Sequence, residues 1–211
     1  MVHCEVDHDN GWMVQHRDVG AFNERASGYE DGWLGRLHRE IADRTARLVL
    51  TCVPSPRRVL DVGCGTGYLL RQLATQIPAA HELVGVEAAH TMVDIAERAS
   101  SDDRLGFSTG TAEHLPYPDA TFDLVVSTTS FDHWADQRAG LAECARVMTP
   151  DGHLVLTDQF SSWLLPTLIL SRRGKARTKS RATHLLAEAG LVSPEWHNLY
   201  AVIIRTVTVR K

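Results

Sequence analysis

The amino-acid sequence predicts an α/β fold: a parallel sheet with helices on both faces, built as one domain. Three observations predict it. A short apolar, β-branched run, Arg58 to Val62, is followed by glycines at alternate positions, Gly63, Gly65 and Gly67, and then by Leu69, Leu70, Leu73, Ala74 and Ile77 at helical spacing. Further runs of strand length alternate with helical periodicities along the chain, and strands separated by helices must run parallel. The 211 residues, 44% hydrophobic and 23% charged, suffice for one core and are ordinary for a globular protein.

Residues 1–19 are polar and are expected to form a flexible N-terminal arm. From Ala21 the pattern turns helical. Phe22, Ala26 and Tyr29 share a face, and Leu34, Leu37, Ile41, Leu48 and Leu50 continue it across breaks, which predicts a helical cap over residues 20–53. Pro54 and Pro56 close that cap before the first strand. The second strand is Glu82 to Glu87, and Met92, Ala96 and Ala99 mark the next helix. Asp102 and Asp103 open a turn into a third strand, Leu105 to Ser108, and Phe122 to Ser127 is the fourth. Leu141, Cys144, Ala145 and Met148 have helical spacing. Pro150-Asp151-Gly152 predicts a turn, with glycine supplying the positive φ, before a fifth strand from Leu154 to Asp158.

Residues 159–187 contain no acid, and Arg172, Arg173, Lys175, Arg177, Lys179 and Arg181 make them basic behind the apolar stretch Trp163 to Leu170. Residues 159–181 are therefore expected to be an insertion or lid, able to line a lipophilic pocket or to meet an anionic membrane surface. Ala182, Leu185, Leu186 and Ala189 predict a helix that Gly190 ends as C′ residue. In the tail, Val207 and Val209 alternate with Thr206, Thr208 and Arg210, as in an edge or last strand.

Composition excludes several classes. The longest apolar run is far short of the ~20 residues that span a bilayer. No export signal is visible in the first ten residues, so the expected location is the cytoplasm and the four cysteines, with no C-x-x-C pair, are expected as reduced thiols. No spacing suited to a metal site appears among the histidines. A net charge of −4 and a pI near 6.2 argue against nucleic acid as a partner.

The glycine loop decides the ligand class. A dinucleotide fingerprint, G-x-G-x-x-G, would place its third glycine at Tyr68, and here it falls one residue early, at Gly67. The loop also follows an acid, Asp61. An anion at that strand end repels a pyrophosphate and suits a ligand with a cationic group. Glu87, 20 residues beyond Gly67, stands where a carboxylate would bind ribose hydroxyls.

With Asp61-Val-Gly-Cys-Gly-Thr-Gly67 go three more blocks: the run from Gly110-Thr-Ala-Glu113 to Val126, Phe131-Asp-His-Trp134, and Arg146-Val-Met-Thr-Pro-Asp-Gly152. In these blocks the chain resembles the class I S-adenosylmethionine-dependent methyltransferases, nearest to the small-molecule type that includes the ubiquinone/menaquinone biosynthesis enzymes. The resemblance covers residues 20–160 well. It implies a Rossmann-like seven-stranded, mostly parallel sheet of order 3-2-1-4-5-7-6, with the last two strands antiparallel, and S-adenosylmethionine as cofactor. It implies that Asp61, Gly63, Cys64, Gly65 and Gly67 hold the methionine end and that Glu87 takes the ribose. Ala88 and Met92 would flank the adenine, with Thr111, Ala112 and Glu113 beside it, and Ser127 would face the cleft. Thr111 and Asp132 depart from the family pattern of Asp-Ala-Glu and His-His-Trp. His133 is the residue implied to take a proton from a phenol or enol acceptor. Phe22 to Tyr29 is similar to the N-terminal helix of the quinone methyltransferases, whose tyrosine lies over cofactor and acceptor; Tyr29 is the counterpart, with a packing role as its alternative.

The activity implied is methyl transfer, at oxygen or carbon, to a small acceptor of lipophilic or anionic character, by a monomer or homodimer. Two other readings compete: a non-enzymatic module that keeps the fold, and a nicotinamide-dependent oxidoreductase on a similar sheet.

Overall fold

The computed structural model describes residues 19–26, 32–53, 55–160, 178–201 and 203–211. Its elements are α1 (Val19–Arg25), α2 (Gly32–Cys52), β1 (Arg58–Val62), α3 (Tyr68–Gln76), β2 (Glu82–Glu87), α4 (His90–Arg98), β3 (Leu105–Thr109), β4 (Phe122–Thr128), α5 (Gln137–Val147), β5 (Met148–Gln159), α6 (Lys179–Glu188), β6 (Val192–Tyr200) and β7 (Ile204–Arg210). The seven strands form one sheet of order β3-β2-β1-β4-β5-β7-β6. The first five run parallel; β7 is antiparallel to β5, and β6 to β7.

Strand alternation sorts the core into two layers. Leu60, Val62, Val125, Leu154 and Leu156 pack with Leu141, Cys144, Ala182 and Leu186 of α5 and α6. Val59, Leu124, Val126 and Val155, the intervening residues, pack with Ala42, Ala46 and Val49 of α2 and with Leu69, Leu70 and Leu73 of α3. The continuous apolar character of these strands follows, since both faces are covered. Gly190, at φ 78, ends α6 as expected.

Three expectations are corrected. The fifth strand starts at Met148, not Leu154, and Pro150 to Gly152 form a bulge inside it: the register passes from Phe122↔Met148 to Leu124↔His153. Asp151, not Gly152, takes the positive φ (65°), and a Cβ on Gly152 would stand 2.8 Å from the Thr149 carbonyl oxygen, so glycine serves there for space. β7 is the last strand in sequence, as expected, and takes its place inside the sheet between β5 and β6, where its threonines are buried with its valines. Those threonines explain how. Thr206 Oγ1 is 2.7 Å from Thr157 Oγ1, which is 3.2 Å from Thr45 Oγ1, and Thr45 donates back to the Ile41 carbonyl. A chain of hydroxyls thus ties α2 to β5 and β7, each link contributing about 1 kcal/mol net. Val19, assigned by the sequence to the arm, begins α1 instead. Residues 1–18 and 161–177, holding most of the arm and of the basic insertion, lie outside the described residues.

Candidate functional site

The carboxyl ends of β1, β2 and β4 open onto a cleft, as parallel sheets of this kind provide. All three loop glycines have positive φ: 75° at Gly63, 54° at Gly65 and 77° at Gly67. Gly63 N and Cys64 N both donate to the Val86 carbonyl, at 2.8 and 3.1 Å, which holds the loop to the end of β2. A Cβ on Gly63 would lie 1.8 Å from Ser130 Oγ, whereas one on Gly65 would meet nothing within 4 Å. Gly63 therefore admits Ser130, and Gly65 leaves the cleft open. Glu87 is fixed by two backbone donors: Gly65 N to Oε2 and Ala89 N to Oε1, both at 3.0 Å. One lone pair on each oxygen is left for a ligand.

The cleft has two chambers, of about 700 and about 520 Å³, which share Gly63, Gly65, Thr128 and Thr129. Gly63, Gly65, Glu87, Ala88, Met92, Thr111, Ala112 and His133 line the first. Asp61 and Cys64 line the second. Three expected contacts line neither. Gly67 faces the Phe107 ring, 2.7 Å from where its Cβ would be, and so packs α3 against β3. Glu113 turns its carboxylate to Asp136 N (2.9 Å), at the start of α5. Ser127 is fully buried, because alternation along β4 gives it the face of Val125; Thr128, one residue later, reaches the cleft. Tyr29 lies outside the described residues.

Several residues of the site carry no signal in the sequence. Thr129 holds a left-handed φ of 54° and donates its N–H to the Thr157 carbonyl, at 2.8 Å. Ser130 Oγ accepts from Trp134 Nε1 (3.0 Å), and Trp134 lies over Gly140 in the core. Phe22 of α1 covers the first chamber and meets the His133 ring edge-on, with centroids 5.1 Å apart. Asn23 fastens α1 to the start of α4 by accepting from Thr91 N and Thr91 Oγ1.

Asp158, at the end of β5, accepts from Asp132 N (3.1 Å) and so holds the single 3-10 turn Phe131–His133. Burial pushes its carboxyl up to about 6, with Asp132 adding to the shift and His133 opposing it. The stronger perturbation is at Asp61. Its side chain is buried, its Oδ1 has no hydrogen-bond partner among the described residues, and burial with the nearby Glu87 carboxylate pushes it up to about 8. A buried acid without a partner costs free energy until a cation or donor reaches it.

Comparison with known proteins adds the family. Residues 60–156 match the model of a methyltransferase domain. Over this stretch the chain is similar to the class I S-adenosylmethionine-dependent methyltransferases. The chain is 39% identical over 133 residues to a demethylmenaquinone methyltransferase of Deinococcus radiodurans, covering 62% of this chain and 51% of that protein. It is 32% identical over 154 residues to the demethylmenaquinone methyltransferase of Thermotoga maritima, covering 73% and 63%. The chain thus spans about half to three fifths of the length of these relatives. Among solved structures, the YcgJ protein of Bacillus subtilis superposes with a TM-score of 0.63 at 27% identity, over 74% of this chain and 73% of that one. A methyltransferase from Aquifex aeolicus, at 18% identity and TM-score 0.70, shares the fold over 89% and 97%.

The family cofactor fits what the cleft presents. S-adenosylmethionine carries an ammonium and a sulfonium, and the cleft offers a buried acid, with one oxygen unpartnered among the described residues, beside an open glycine, with a second carboxylate at the neighbouring strand end.

The perturbed Asp61 gives a pH dependence. Its folded pKa lies above the unfolded value of 3.8, so its contribution to stability is full below pH ~4 and is lost as pH rises toward 8. Asp61→Asn should therefore gain stability relative to wild type across that window, reaching at least ~1 kcal/mol, or 2–4 °C in Tm, near pH 8. Thermal melts of both proteins at about pH 5 and about pH 8 check this; a difference that does not grow would mean that Asp61 is ionised in the folded state. A second expectation separates the glycines. Gly63→Ala must displace Ser130 and should lower Tm clearly more than Gly65→Ala, whose cost is the left-handed φ alone, ~1–2 kcal/mol.

Proposed function

We propose that the protein transfers the methyl group of S-adenosylmethionine to a small, apolar, hydroxylated acceptor in the cytoplasm, with residues 20–211 as the working domain. The observation that carries this reading is Asp61: a buried acid with one oxygen unpartnered among the described residues, placed where a cationic ligand would offset the cost of its charge. Asp61 and the backbone of Gly63 to Gly65 would hold the methionine end, Glu87 the ribose hydroxyls, and Ala88, Met92, Thr111 and Ala112 the adenine. Gly67, Glu113 and Ser127 support these residues from behind. When bound, the cofactor supplies an electrophilic methyl group on a sulfur that leaves as a neutral thioether.

The protein's own part is alignment and exclusion of water, since the leaving group is good. Phe22 and Trp134 give the first chamber apolar walls. His133 stands at the same chamber and takes the proton of an acceptor hydroxyl as the oxygen is methylated. Relatives named for demethylmenaquinone support a ring acceptor with oxygen substituents.

Calorimetric titration should show micromolar binding of S-adenosylhomocysteine, about −8 kcal/mol, and none of NADH. Glu87→Ala should weaken that binding by roughly 1–3 kcal/mol through lost charged hydrogen bonds. Heat with NADH and none with S-adenosylhomocysteine would sink the reading. His133→Ala should lower turnover ~10²-fold while the cofactor affinity stays within error. Unchanged turnover in single-turnover assays with labelled cofactor would return His133 to a packing role.

A further inference from the structure

The methionine end of the cofactor carries two charges of opposite sign, an ammonium and a carboxylate, and the residues assigned above answer only the first. Asp61 is an acid, and Glu87 is a second acid at the neighbouring strand end. A carboxylate brought beside two acids is repelled unless a cation stands with it. The second chamber, which Asp61, Gly63, Cys64 and Gly65 line, contains one. Arg39 of α2 lines it, and among the described residues that line either chamber Arg39 alone is an arginine or lysine.

The placement follows from the helix. Gly35, Arg39 and Ala42 recur at i, i+4 and i+7, so they share one face of α2, and all three line the second chamber. Gly35 and Ala42 are buried, and Arg39, with its longer side chain, is half-buried. Side-chain bonds on the next turn hold the helix in place. Tyr68 OH of α3 donates to Asp43 Oδ1 at 3.1 Å, Arg44 Nη1 donates to the Leu199 carbonyl at 2.9 Å, and Thr45 Oγ1 lies 3.2 Å from Thr157 Oγ1 of β5. A guanidinium keeps its charge and presents a planar fork that fits both oxygens of a carboxylate. Tyr68 and Leu69, in the first turn of α3, line the same chamber, and the amino end of a helix also favours an anion.

We propose that Arg39 is a cofactor-binding residue whose guanidinium pairs with the carboxylate of the methionine end, while Asp61 takes the ammonium. The inference rests on the methyl-transfer reading above and on its assignment of the methionine end to Asp61 and the glycine loop. The second chamber then recognises a zwitterion, with an acid on β1 and a cation on α2. A ligand with the amine alone gains only from Asp61, and a nucleoside without the amino-acid tail gains from neither.

The test uses three ligands titrated calorimetrically into the full chain: S-adenosylhomocysteine, its decarboxylated analogue, and 5′-methylthioadenosine, which lacks the amino-acid tail. Wild type should bind S-adenosylhomocysteine at least about tenfold more tightly than the decarboxylated analogue, the worth of a charge-assisted hydrogen bond. Arg39→Ala and Arg39→Gln should bring these two affinities within about twofold, and Arg39→Lys should restore part of the difference. Binding of 5′-methylthioadenosine should stay as in wild type in all three variants, which also checks their folding. Arg36→Ala removes an exposed charge of the same helix that lines neither chamber, and it should leave the difference intact. A wild type without preference, a preference that survives both neutral variants, a loss shared equally by Arg36→Ala, or a loss that falls on 5′-methylthioadenosine as well overturns the assignment of Arg39. Failure of wild type to bind S-adenosylhomocysteine overturns the methyl-transfer reading instead.

Discussion

The cost of charging Asp61 is the constraint from which the site follows. A carboxylate at the end of a central parallel strand is surrounded by apolar β1, β2 and β4 residues and cannot be hydrated there. The register sets Asp61 beside Gly85 and Val126, neither of which brings a donor side chain. Glu87 adds a second negative charge instead of relieving the first. Such an arrangement is costly when empty and becomes favourable with a cationic ligand, so the free energy withheld from folding is available to binding. The Glu87 carboxylate is handled differently: two backbone N–H groups donate to it and fix its direction. One acid is left wanting a partner and the other is pre-organised, a division suited to a ligand with a cationic end and a neutral hydroxylated one.

The glycine loop makes this possible by being thin. Gly63 lets Ser130 approach so closely that no side chain fits between them, and Ser130 in turn receives the Trp134 indole N–H. Trp134 sits over Gly140, and Phe131, Phe160 and Trp196 extend the aromatic contacts toward β6. The loop after β4 is thereby fixed from both sides, by Ser130 against β1 and by Asp158 on the Asp132 N–H. The strained φ of Thr129 is sustained by those anchors and by its bond to Thr157.

What the sequence made legible is what acts locally. Strand, glycine turn and helix lie within twenty residues, and the ends of β1 and β2 were placed to the residue because their apolar runs stop there. Glu87, Thr111 and Ala112, expected at the cleft, line its first chamber for the same reason: each lies at or just beyond the carboxyl end of a strand. The expected residues that line neither chamber differ by geometry. Ser127 and Thr128 differ by one step of strand alternation, and a motif read as a string does not give the face. Glu113 was drawn away by the N-terminus of α5, a partner 23 residues distant. His38 reaches the cleft, and Asp158 the turn beside it, through contacts across 26 residues or across elements, and nothing in their local pattern marks them. The bulge at Pro150 to Gly152 carried genuine turn residues; pairing with β4 on either side absorbed them into one strand.

Cofactor and acceptor chemistry sit on different kinds of support, and this sets how far each can vary. The cofactor half is made chiefly of backbone: glycine amides, strand ends and two carboxylates that the sheet fixes. Changing it means changing the sheet. The acceptor half, on the reading proposed above, is made of side chains on α1 and the turn after β4, elements held by side-chain contacts such as Asn23 to Thr91 and Asp158 to Asp132. A substitution on those elements can alter the walls of the chambers without touching Asp61 or Glu87. Ser130 is the point where the halves meet, packed on Gly63 of one and bonded to Trp134 of the other. The glycine loop and the turn that carries His133 are thus in direct contact at Ser130.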